Sequence, residues 1–346
     1  MKQDIKSFNL QELTTQIEKS GLPKFRAKQI YDWLHKQFAE DFSEMTNLSL
    51  DLRAKLSEEY EIRNCKIARK LESKLDETKK YLFELNDGEF IESVLMKYKY
   101  GYTVCVSSQV GCNMKCSFCA STIDGCVRNL TASEILSQIY AISKDENIRV
   151  SHIVLMGMGE PLDNYDNVLK FLELITNEDG QNISARHISI STCGVVPKIY
   201  DLIEKHPQFT LSVSLHAPNN EIRSRIMPVN NKWHVEELLE ACKAYTDATS
   251  RRISFEYAMM DGINDTDECA KELRAKLRGT LCHVNLIPAN EVRENDYKRS
   301  TNERLEAFSK ILEAGGITTT VRRSLGGDIE ASCGQLRRNN KKGGEA

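Results

Sequence analysis

The most informative stretch of this 346-residue sequence is residues 102–119, which read YTVCVSSQVGCNMKCSFC. In its first part, Tyr102–Ser107, side chains of different polarity alternate and β-branched residues are frequent, which predicts a β-strand. The strand runs into three cysteines within eight residues, Cys112, Cys116 and Cys119. Three thiolates this close together converge readily on one soft metal centre, because sulfur ligands favour zinc and iron–sulfur clusters.

After this first strand, the chain alternates between predicted strands and predicted helices. The further strands are His152–Met156, His187–Ser191, Thr210–Leu215, Ile253–Tyr257, His283–Ile287 and Thr318–Val321. Helical periodicity lies between several of them, in Thr131–Ser143, Val168–Leu174 and Val235–Tyr245. The alternation indicates parallel βαβ units. Six or seven such units in about 230 residues favour an α/β barrel, and an incomplete one, over a sandwich. A doubly wound open sheet is the alternative.

Polar and small residues collect where the predicted strands end. In barrels of this kind, the chemistry lies at the carboxyl ends of the strands. Each feature alone could be a turn or a helix cap, but five on one rim predict a functional site. The five are Cys112, the segment Gly157–Pro161, the segment Ser191–Gly194, His216 and Asn290.

The first 100 residues follow a different pattern. Apolar residues at helical spacing predict helices over Phe25–Leu34 and around Leu50–Tyr60. Two alternating segments, Tyr81–Leu85 and Phe90–Met96, flank an Asn86-Asp87-Gly88 turn, which is a strong hairpin signal. We therefore predict a small N-terminal helical accessory domain with a short antiparallel extension over residues 1–100. The barrel and a C-terminal segment follow over residues 101–346.

Composition excludes several classes of protein. Eleven cysteines are an odd number, so they cannot all pair with each other, and disulfide scaffolds are usually much shorter. The sequence has no signal peptide and no 18-residue uncharged apolar run. We therefore expect a soluble cytoplasmic protein with reduced thiols and no membrane contact. The net charge of -3 shows that the whole chain is not a polycation, but nucleic-acid binding depends on where basic residues lie.

The cysteine loop is compatible with more than one kind of metal site. Structural zinc requires four protein ligands, and Cys105 or Cys126 could supply the fourth. However, Cys105 lies inside the predicted strand and Cys126 lies in a separate segment. A [4Fe–4S] cluster with three protein thiolates leaves one iron open for a small ligand. Buried cysteines without a metal are the third alternative.

The motifs around this loop resemble those of a known family. Cys-x3-Cys-x2-Cys after the first strand of an α/β barrel is the signature of radical S-adenosylmethionine (SAM) enzymes. Together with residues 105–112, three further motifs are similar to those of the bacterial adenine-C2 RNA methyltransferases. These motifs are Met156–Leu162 (MGMGEPL), Ser214–Pro218 (SLHAP) and Ala331–Leu336 (ASCGQL). The resemblance covers nearly the whole chain and implies an incomplete (β/α)6-type radical SAM barrel.

The resemblance also implies a reaction and its cofactors. The family methylates C2 of an adenine in 23S rRNA near the peptidyl-transferase centre, and of the adenine next to the anticodon in certain tRNAs. Cys112, Cys116 and Cys119 would hold one [4Fe–4S] cluster, whose open iron binds SAM, and two SAM molecules are used per turnover. The implied SAM contacts are Gly159, Glu160, Ser191, Ser214, Leu215, His216 and Asn290.

Three further residues match catalytic positions of the family. Cys333 matches the methyl carrier, whose S-methyl group loses a hydrogen to the 5′-deoxyadenosyl radical and then adds to adenine C2. Cys105 matches the thiol that releases the product, so a Cys105–Cys333 disulfide would form in each turnover. Glu92 matches a proposed acceptor of the C2 proton. From the residues alone, Cys105 could equally be core filler and Glu92 an exposed strand glutamate.

The chain departs from the family pattern in small ways. Ala331-Ser332 precedes Cys333 where two alanines are usual, and Cys126 and Cys193 are additional thiols near the site. Cys126 could compete for iron or for the disulfide.

The resemblance implies RNA substrates, an electron donor such as a flavodoxin system, and a monomer. The basic residues that flank Cys333 in the sequence favour phosphate contacts. They are Arg322, Arg323, Arg337, Arg338, Lys341 and Lys342.

Two other functions remain open. A sister family methylates C8 of the same rRNA adenine and typically has alanine where this chain has Pro161, so Pro161 favours C2. A zinc-stabilised RNA-binding protein without catalysis is the alternative from a different class.

Overall fold

A ten-stranded sheet with helices packed against it is the frame of the structure, a computed structural model that describes residues 2–205, 208–289, 297–323 and 325–329. The helices are α1 (Leu10–Lys19), α2 (Phe25–His35), α3 (Leu50–Glu59), α4 (Ala132–Glu146), α5 (Tyr165–Thr176), α6 (Val196–Glu204), α7 (Asn220–Ile226), α8 (Val235–Thr249), α9 (Asp267–Leu277) and α10 (Asn302–Glu313).

The strands fall into two groups along the chain. Two short strands come first, β1 (Gln3–Asp4) and β2 (Tyr60–Glu61). The antiparallel part of the large sheet follows, with β3 (Cys65–Glu72), β4 (Lys79–Leu85) and β5 (Phe90–Tyr98). The remaining strands are β6 (Gly101–Cys105), β7 (Gln109–Gly111), β8 (Cys126–Asn129), β9 (Val150–Leu155), β10 (Ile188–Thr192), β11 (Thr210–Ser214), β12 (Ile253–Met259), β13 (Cys282–Pro288) and β14 (Thr318–Val321).

The order of the parallel strands decides between the two predicted folds. The large sheet has the order β14-β13-β12-β11-β10-β9-β6-β5-β4-β3, and its strands from β6 to β14 are all parallel. Neighbours in this parallel part follow the chain order without a reversal. A doubly wound sheet reverses direction at its switch point, whereas a barrel adds each strand beside the last. The predicted incomplete α/β barrel is therefore confirmed.

The path of the chain after β14 shows that the sheet is curved. Leu325 packs against Val94, Met96 and Cys105, near the middle of the sheet. It is four positions along the chain from Val321 at the end of β14, and four positions span at most about 14 Å. In a flat sheet, β14 and β6 would lie six strand spacings apart, which is about 29 Å. The sheet must therefore be curved, so that β14 approaches β5 and β6 across the interior of the barrel, which we call the lumen.

The two faces of the sheet differ in polarity, because successive side chains of a strand point to opposite faces. The outer face is apolar and buried together with the apolar sides of the helices. It carries Val104, Ile153, Ile190, Val213, Phe255 and Val284. The register places Ser191, Ser214, Glu256 and Asn285 on the same inner face as Cys105. Polar groups therefore point into the lumen.

The N-terminal helices form a second apolar core. Helix α1 begins with a capping box, in which Asn9 and Glu12 exchange hydrogen bonds between side chain and backbone. Ile17, Tyr31, Leu34 and Leu56 are fully or almost fully buried in this core. By contrast, β3–β5 continue the same sheet as the parallel strands. The division of the chain at residue 100 stays a prediction. Within the described residues, no helix is long and apolar enough to cross a membrane.

Candidate active site at the carboxyl ends of the strands

The cysteine loop is held at both ends by a small two-stranded sheet. Strand β7 lies directly before Cys112 and pairs antiparallel with β8, so that Gly111 faces Cys126. The N–H of Cys112 donates to the carbonyl of Gly125 at 3.0 Å, and the N–H of Cys119 donates to that of Cys116 at 3.1 Å. The loop is therefore a compact turn. Cys126, the first residue of β8, lies next to Cys112 although the two are distant in sequence.

Burial decides the chemical state of these thiols. Cys112 and Cys116 are buried, and Cys119 is half-buried. Burial raises the pKa of Cys112 to about 12 and that of Cys116 well above its ordinary value, and the neighbouring sulfur groups raise both further. Thiolates in such a place need a bound cation, and metal coordination deprotonates a thiol outright. The donor set therefore fits a metal centre rather than reactive free thiols.

The spacing of the cysteines bears on which centre they fit. Within the described residues, no three His, Cys, Asp or Glu side chains are grouped tightly enough to hold a single metal ion. A [4Fe–4S] cluster does not require such a group, because each thiolate binds a different iron. Three thiolates on one loop fit a [4Fe–4S] cluster, whereas the zinc site that the sequence left open would need a fourth protein ligand.

The turn after β9 is built around Gln109. Gly159 has φ +102°, and a Cβ there would lie 2.6 Å from Cβ and 2.7 Å from the backbone N of Gln109. The glycine is therefore required by contact with the protein itself, and not only by ligand approach as the sequence suggested. The side chain of Gln109 accepts a hydrogen bond from the N–H of Glu160 at 2.8 Å and donates to Asn129 and Asp163.

Glu160 joins two of the loops at this rim. Its carboxylate accepts hydrogen bonds from the N–H of Leu162 at 2.9 Å and from the N–H of Cys193, after β10, at 2.7 Å. The side chain is 3% exposed, and burial raises the pKa of this carboxyl group. The carboxylate of Glu160 is thereby held between the segments that follow β9 and β10.

His216 has a defined tautomer and position. The backbone N–H of Ala258 donates to Nδ1 at 2.9 Å, so that Nδ1 carries no proton and Nε2 is the N–H donor of the neutral ring. Burial, and secondarily the charge of Arg223, lowers the pKa of His216 to about 3. The ring packs edge-to-face on Phe118 of the cysteine loop, with centroids 4.9 Å apart. The end of β11 and the cysteine loop therefore meet here.

The remaining predicted SAM contacts lie close by. Ser191 and Ser214 are inner-face residues near the ends of β10 and β11, and Leu215 is fully buried beside His216. The structure thus brings Glu160, Ser214 and His216 to one rim. Asn290 lies outside the described residues.

Sequence reasoning missed three buried side chains that organise this rim, because each acts on residues distant in the chain. Asn264 donates to the carbonyls of His216 and Ala258, both at 2.7 Å. Arg223 binds the carbonyl groups that follow β10 and β11. Gln109 anchors the turn of Glu160. Their only sequence signal is a polar residue next to a predicted strand end or helix.

The predicted catalytic residues Glu92 and Cys105 lie on one face of the sheet. Glu92 is 3% exposed, so it is not the exposed strand glutamate that the sequence allowed. Its Oε2 atom lies 3.0 Å from Nζ of Lys80, which is fully buried. Cys105 is buried among Val94 and Met96. Cys333 lies outside the described residues, so the Cys105–Cys333 disulfide stays a prediction.

Comparisons with known proteins decide the family. Residues 3–62 match the Ribosomal RNA large subunit methyltransferase N-terminal domain, and residues 106–273 match the Radical SAM superfamily. A probable dual-specificity RNA methyltransferase RlmN from Lachnoclostridium phytofermentans is 53% identical over 97% of this chain and 94% of its own length. Another from Clostridium novyi is 52% identical over 97% of this chain and 98% of its own length. The chain belongs to the RlmN family of radical SAM methyltransferases.

A solved structure supports the fold of this RlmN-family chain. The radical SAM methyltransferase from Sphaerobacter thermophilus superposes with a TM-score of 0.92 and is 43% identical, covering 96% of this chain and 98% of its own. The predicted family resemblance and the radical SAM barrel are thereby confirmed. Family membership implies a [4Fe–4S] cluster and SAM, and the buried cysteine loop described above fits that requirement.

Proposed function

We propose that this protein methylates C2 of adenine in 23S rRNA and in the tRNA position next to the anticodon. The single observation that carries the proposal is the meeting of the cysteine loop with the ends of β9, β10 and β11 on one polar rim. The hydrogen bond from Cys193 to Glu160 and the contact between Phe118 and His216 join these elements. The family match over almost the whole chain supports the same reaction.

In this proposal, Cys112, Cys116 and Cys119 hold one [4Fe–4S] cluster. When bound, the cluster supplies the electron that cleaves SAM reductively. Glu160, on the turn after β9, orients the ammonium group of SAM, and the Nε2–H group of His216 can donate to an acceptor atom of SAM. Ser191, Ser214, Leu215 and Asn290 complete the SAM contacts. Ser191 and Ser214 lie near the carboxyl ends of adjacent strands, where barrels bind their ligands.

The protein's own groups carry the methyl group and the proton. Cys333 accepts a methyl group on sulfur from the first of two SAM molecules. This S-methyl group would lose one hydrogen atom to the 5′-deoxyadenosyl radical of the second SAM, and its carbon would then bond to adenine C2, with one electron returned to the cluster. Glu92 accepts the C2 proton, and Lys80 holds one of its carboxylate oxygens in place. Cys105 then attacks the Cys333 sulfur, which forms the disulfide and releases the methylated RNA. Leu325, eight residues before Cys333, packs against Cys105, which supports this pairing.

Substrate RNA would reach the rim past exposed basic residues. Arg322 and Arg323 are exposed directly after β14, at the same end of the sheet as the cysteine loop. Phosphate groups are favourable partners for such arginines. We further propose a flavodoxin-type electron donor, a monomeric enzyme and a cytoplasmic location.

The test is an anaerobic assay of the purified protein with SAM, a reductant and either 23S rRNA or tRNA, followed by mass spectrometry of the nucleosides. We expect 2-methyladenosine with wild-type protein and none with Cys333→Ala. Finding 8-methyladenosine would instead support the sister family, against the expectation from Pro161. Zinc without sulfide in anaerobically purified protein would support the non-catalytic alternative.

The proposed role of Cys105 has a separate readout. Cys105→Ala should still form the bond between the S-methyl carbon and adenine but fail to release it, so a protein–RNA cross-link should accumulate on denaturing gels. The double variant Cys105→Ala/Cys333→Ala is the matched control and should form no cross-link. Normal product release by Cys105→Ala would contradict the proposal.

A further inference from the structure

A fully buried arginine, Arg223 of α7, has no negatively charged partner. Its side chain is 0% exposed. Its Nη2 atom donates to the carbonyls of Cys193 at 2.6 Å and Ser214 at 3.2 Å, and its Nε atom donates to that of Leu215 at 3.1 Å. Its Nη1 atom donates to Oδ1 of Asn230 at 3.2 Å. In the described part of the chain, all of its hydrogen bonds therefore go to neutral oxygens.

A buried charge of this kind is expensive. Transferring an ion out of water costs several kcal/mol even after relaxation of the protein, and buried charges are normally paired. An arginine does not escape this cost by losing its proton. The hydrogen bonds satisfy the five N–H groups only in part, and they do not balance the positive charge. Among the described residues, no carboxylate is hydrogen-bonded to this cation.

This cation lies directly behind the cysteine loop. The N–H of Ser117, next to Cys116, donates to the carbonyl of Ile226 in the last turn of α7 at 2.9 Å. Cys116 packs in the same small apolar cluster as Cys193, whose carbonyl Arg223 binds. The helix that carries the charge is thus the element that supports the loop.

We propose that Arg223 is the protein's counter-charge for the iron–sulfur cluster and sets how easily the cluster is reduced. This inference rests on the proposed function, because it requires the cluster held by Cys112, Cys116 and Cys119. A [4Fe–4S] core bound by three thiolates is negatively charged, and reduction adds one further negative charge. A fixed buried cation stabilises the reduced state more than the oxidised state, so it raises the midpoint potential.

The experiment is a redox titration of cluster-loaded protein without SAM, followed by electron paramagnetic resonance. Arg223→Gln removes the charge and should make the cluster at least about tenfold harder to reduce at a given ambient potential, a shift of about 59 mV for one electron. Arg223→Lys keeps the charge but not the forked hydrogen bonds, so it should stay close to wild type. Equal shifts in both variants would show a purely structural role and overturn the proposal.

A second variant leaves Arg223 intact. Asn230 is fully buried, and its Oδ1 atom already accepts from Arg223, so Asn230→Asp provides a carboxylate partner without removing a guanidinium bond. This variant should also make the cluster harder to reduce. It decides the question if Arg223→Gln does not retain a cluster.

The control is Lys6→Gln, which removes another buried cation. Lys6 contacts Asn64 and Ser137, in a different part of the fold, and its loss should leave the potential unchanged. Equal midpoint potentials in all cluster-loaded variants would overturn the role of Arg223 but leave the proposed function intact. Absence of iron and sulfide from the wild-type protein would instead overturn the proposed function.

Discussion

Nζ of Lys80 lies 3.0 Å from Oε2 of Glu92, and the two side chains are 0% and 3% exposed. The register of β4, β5 and β6 pairs Lys80 with Val94 and Val94 with Cys105. The ion pair therefore lies on the same face of the sheet as the proposed resolving thiol. A buried ion pair adds little stability compared with apolar residues, so its presence on this face favours a chemical role.

Replacing Glu92 should affect stability and chemistry separately. Glu92→Gln leaves the buried charge of Lys80 without its carboxylate, so the free energy of unfolding should fall by about 3 kcal/mol. The double variant Lys80→Met/Glu92→Gln removes that charge and should recover part of the loss in denaturant titrations. If Glu92 accepts the proton, both variants should lose methyl transfer. Recovery of activity together with stability in the double variant would contradict a role in proton transfer.

Local sequence patterns were sufficient to predict the parallel strands and the rim. Hydrophobic alternation depends only on neighbouring residues, and every predicted strand from Tyr102–Ser107 to Thr318–Val321 corresponds to an observed one within a few residues. The rim follows because parallel strands end at one edge. The polar residues after β9, β10 and β11 therefore meet, as the fold class requires.

Contacts between distant segments could not be predicted in this way. The pairing of β7 with β8, which places Cys126 beside Cys112, involves two very short strands without a clear alternation. The partners of Arg223 and Lys80 depend on how helices and strands pack, which no periodicity encodes. For the same reason, the sequence alone could not decide whether Glu92 is an exposed strand residue or a catalytic residue.

The three loop cysteines should differ sharply from the additional thiol. Alanine substitution of Cys112, Cys116 or Cys119 removes a ligand that no other residue of the loop replaces, so cluster iron and sulfide should fall to a small fraction of wild type. Cys126→Ser is the matched comparison, because Cys126 is half-buried and lies beside Cys112. We expect it to keep wild-type iron content and turnover, measured by metal analysis and methyl transfer. A fall in its iron content would show that Cys126 takes part in iron binding.

Two glycines with positive φ should respond differently to alanine. Gly262 has φ +67° and open space where a Cβ would be, so Gly262→Ala should cost only the backbone strain, about 1–2 kcal/mol. Gly159→Ala adds a clash with Gln109 and should cost clearly more. It should also weaken SAM binding, because Gln109 anchors the N–H of Glu160. Denaturant titration and equilibrium dialysis with SAM measure the two effects. Equal stability losses would show that the turn adjusts freely.

The buried His35 should make the protein less stable in acid. Its Nδ1 atom lies 2.9 Å from the hydroxyl of Tyr140, and burial, with a smaller contribution from Lys6, lowers the pKa of His35 to about 3. The unfolded chain binds a proton near pH 6.5, whereas the folded chain does not. This contribution to stability is therefore complete above pH 6.5 and is lost as the pH falls toward 3.

His35→Gln removes this pH dependence. Between pH 6.5 and 5.5, the free energy of unfolding of wild type relative to His35→Gln should fall by about 1 kcal/mol, measured by urea titration at each pH. His216, which also has a lowered pKa, is present in both proteins, so its contribution cancels. A constant difference between wild type and His35→Gln across this range would mean that His35 binds as many protons in the folded as in the unfolded chain, and would contradict the lowered pKa of His35.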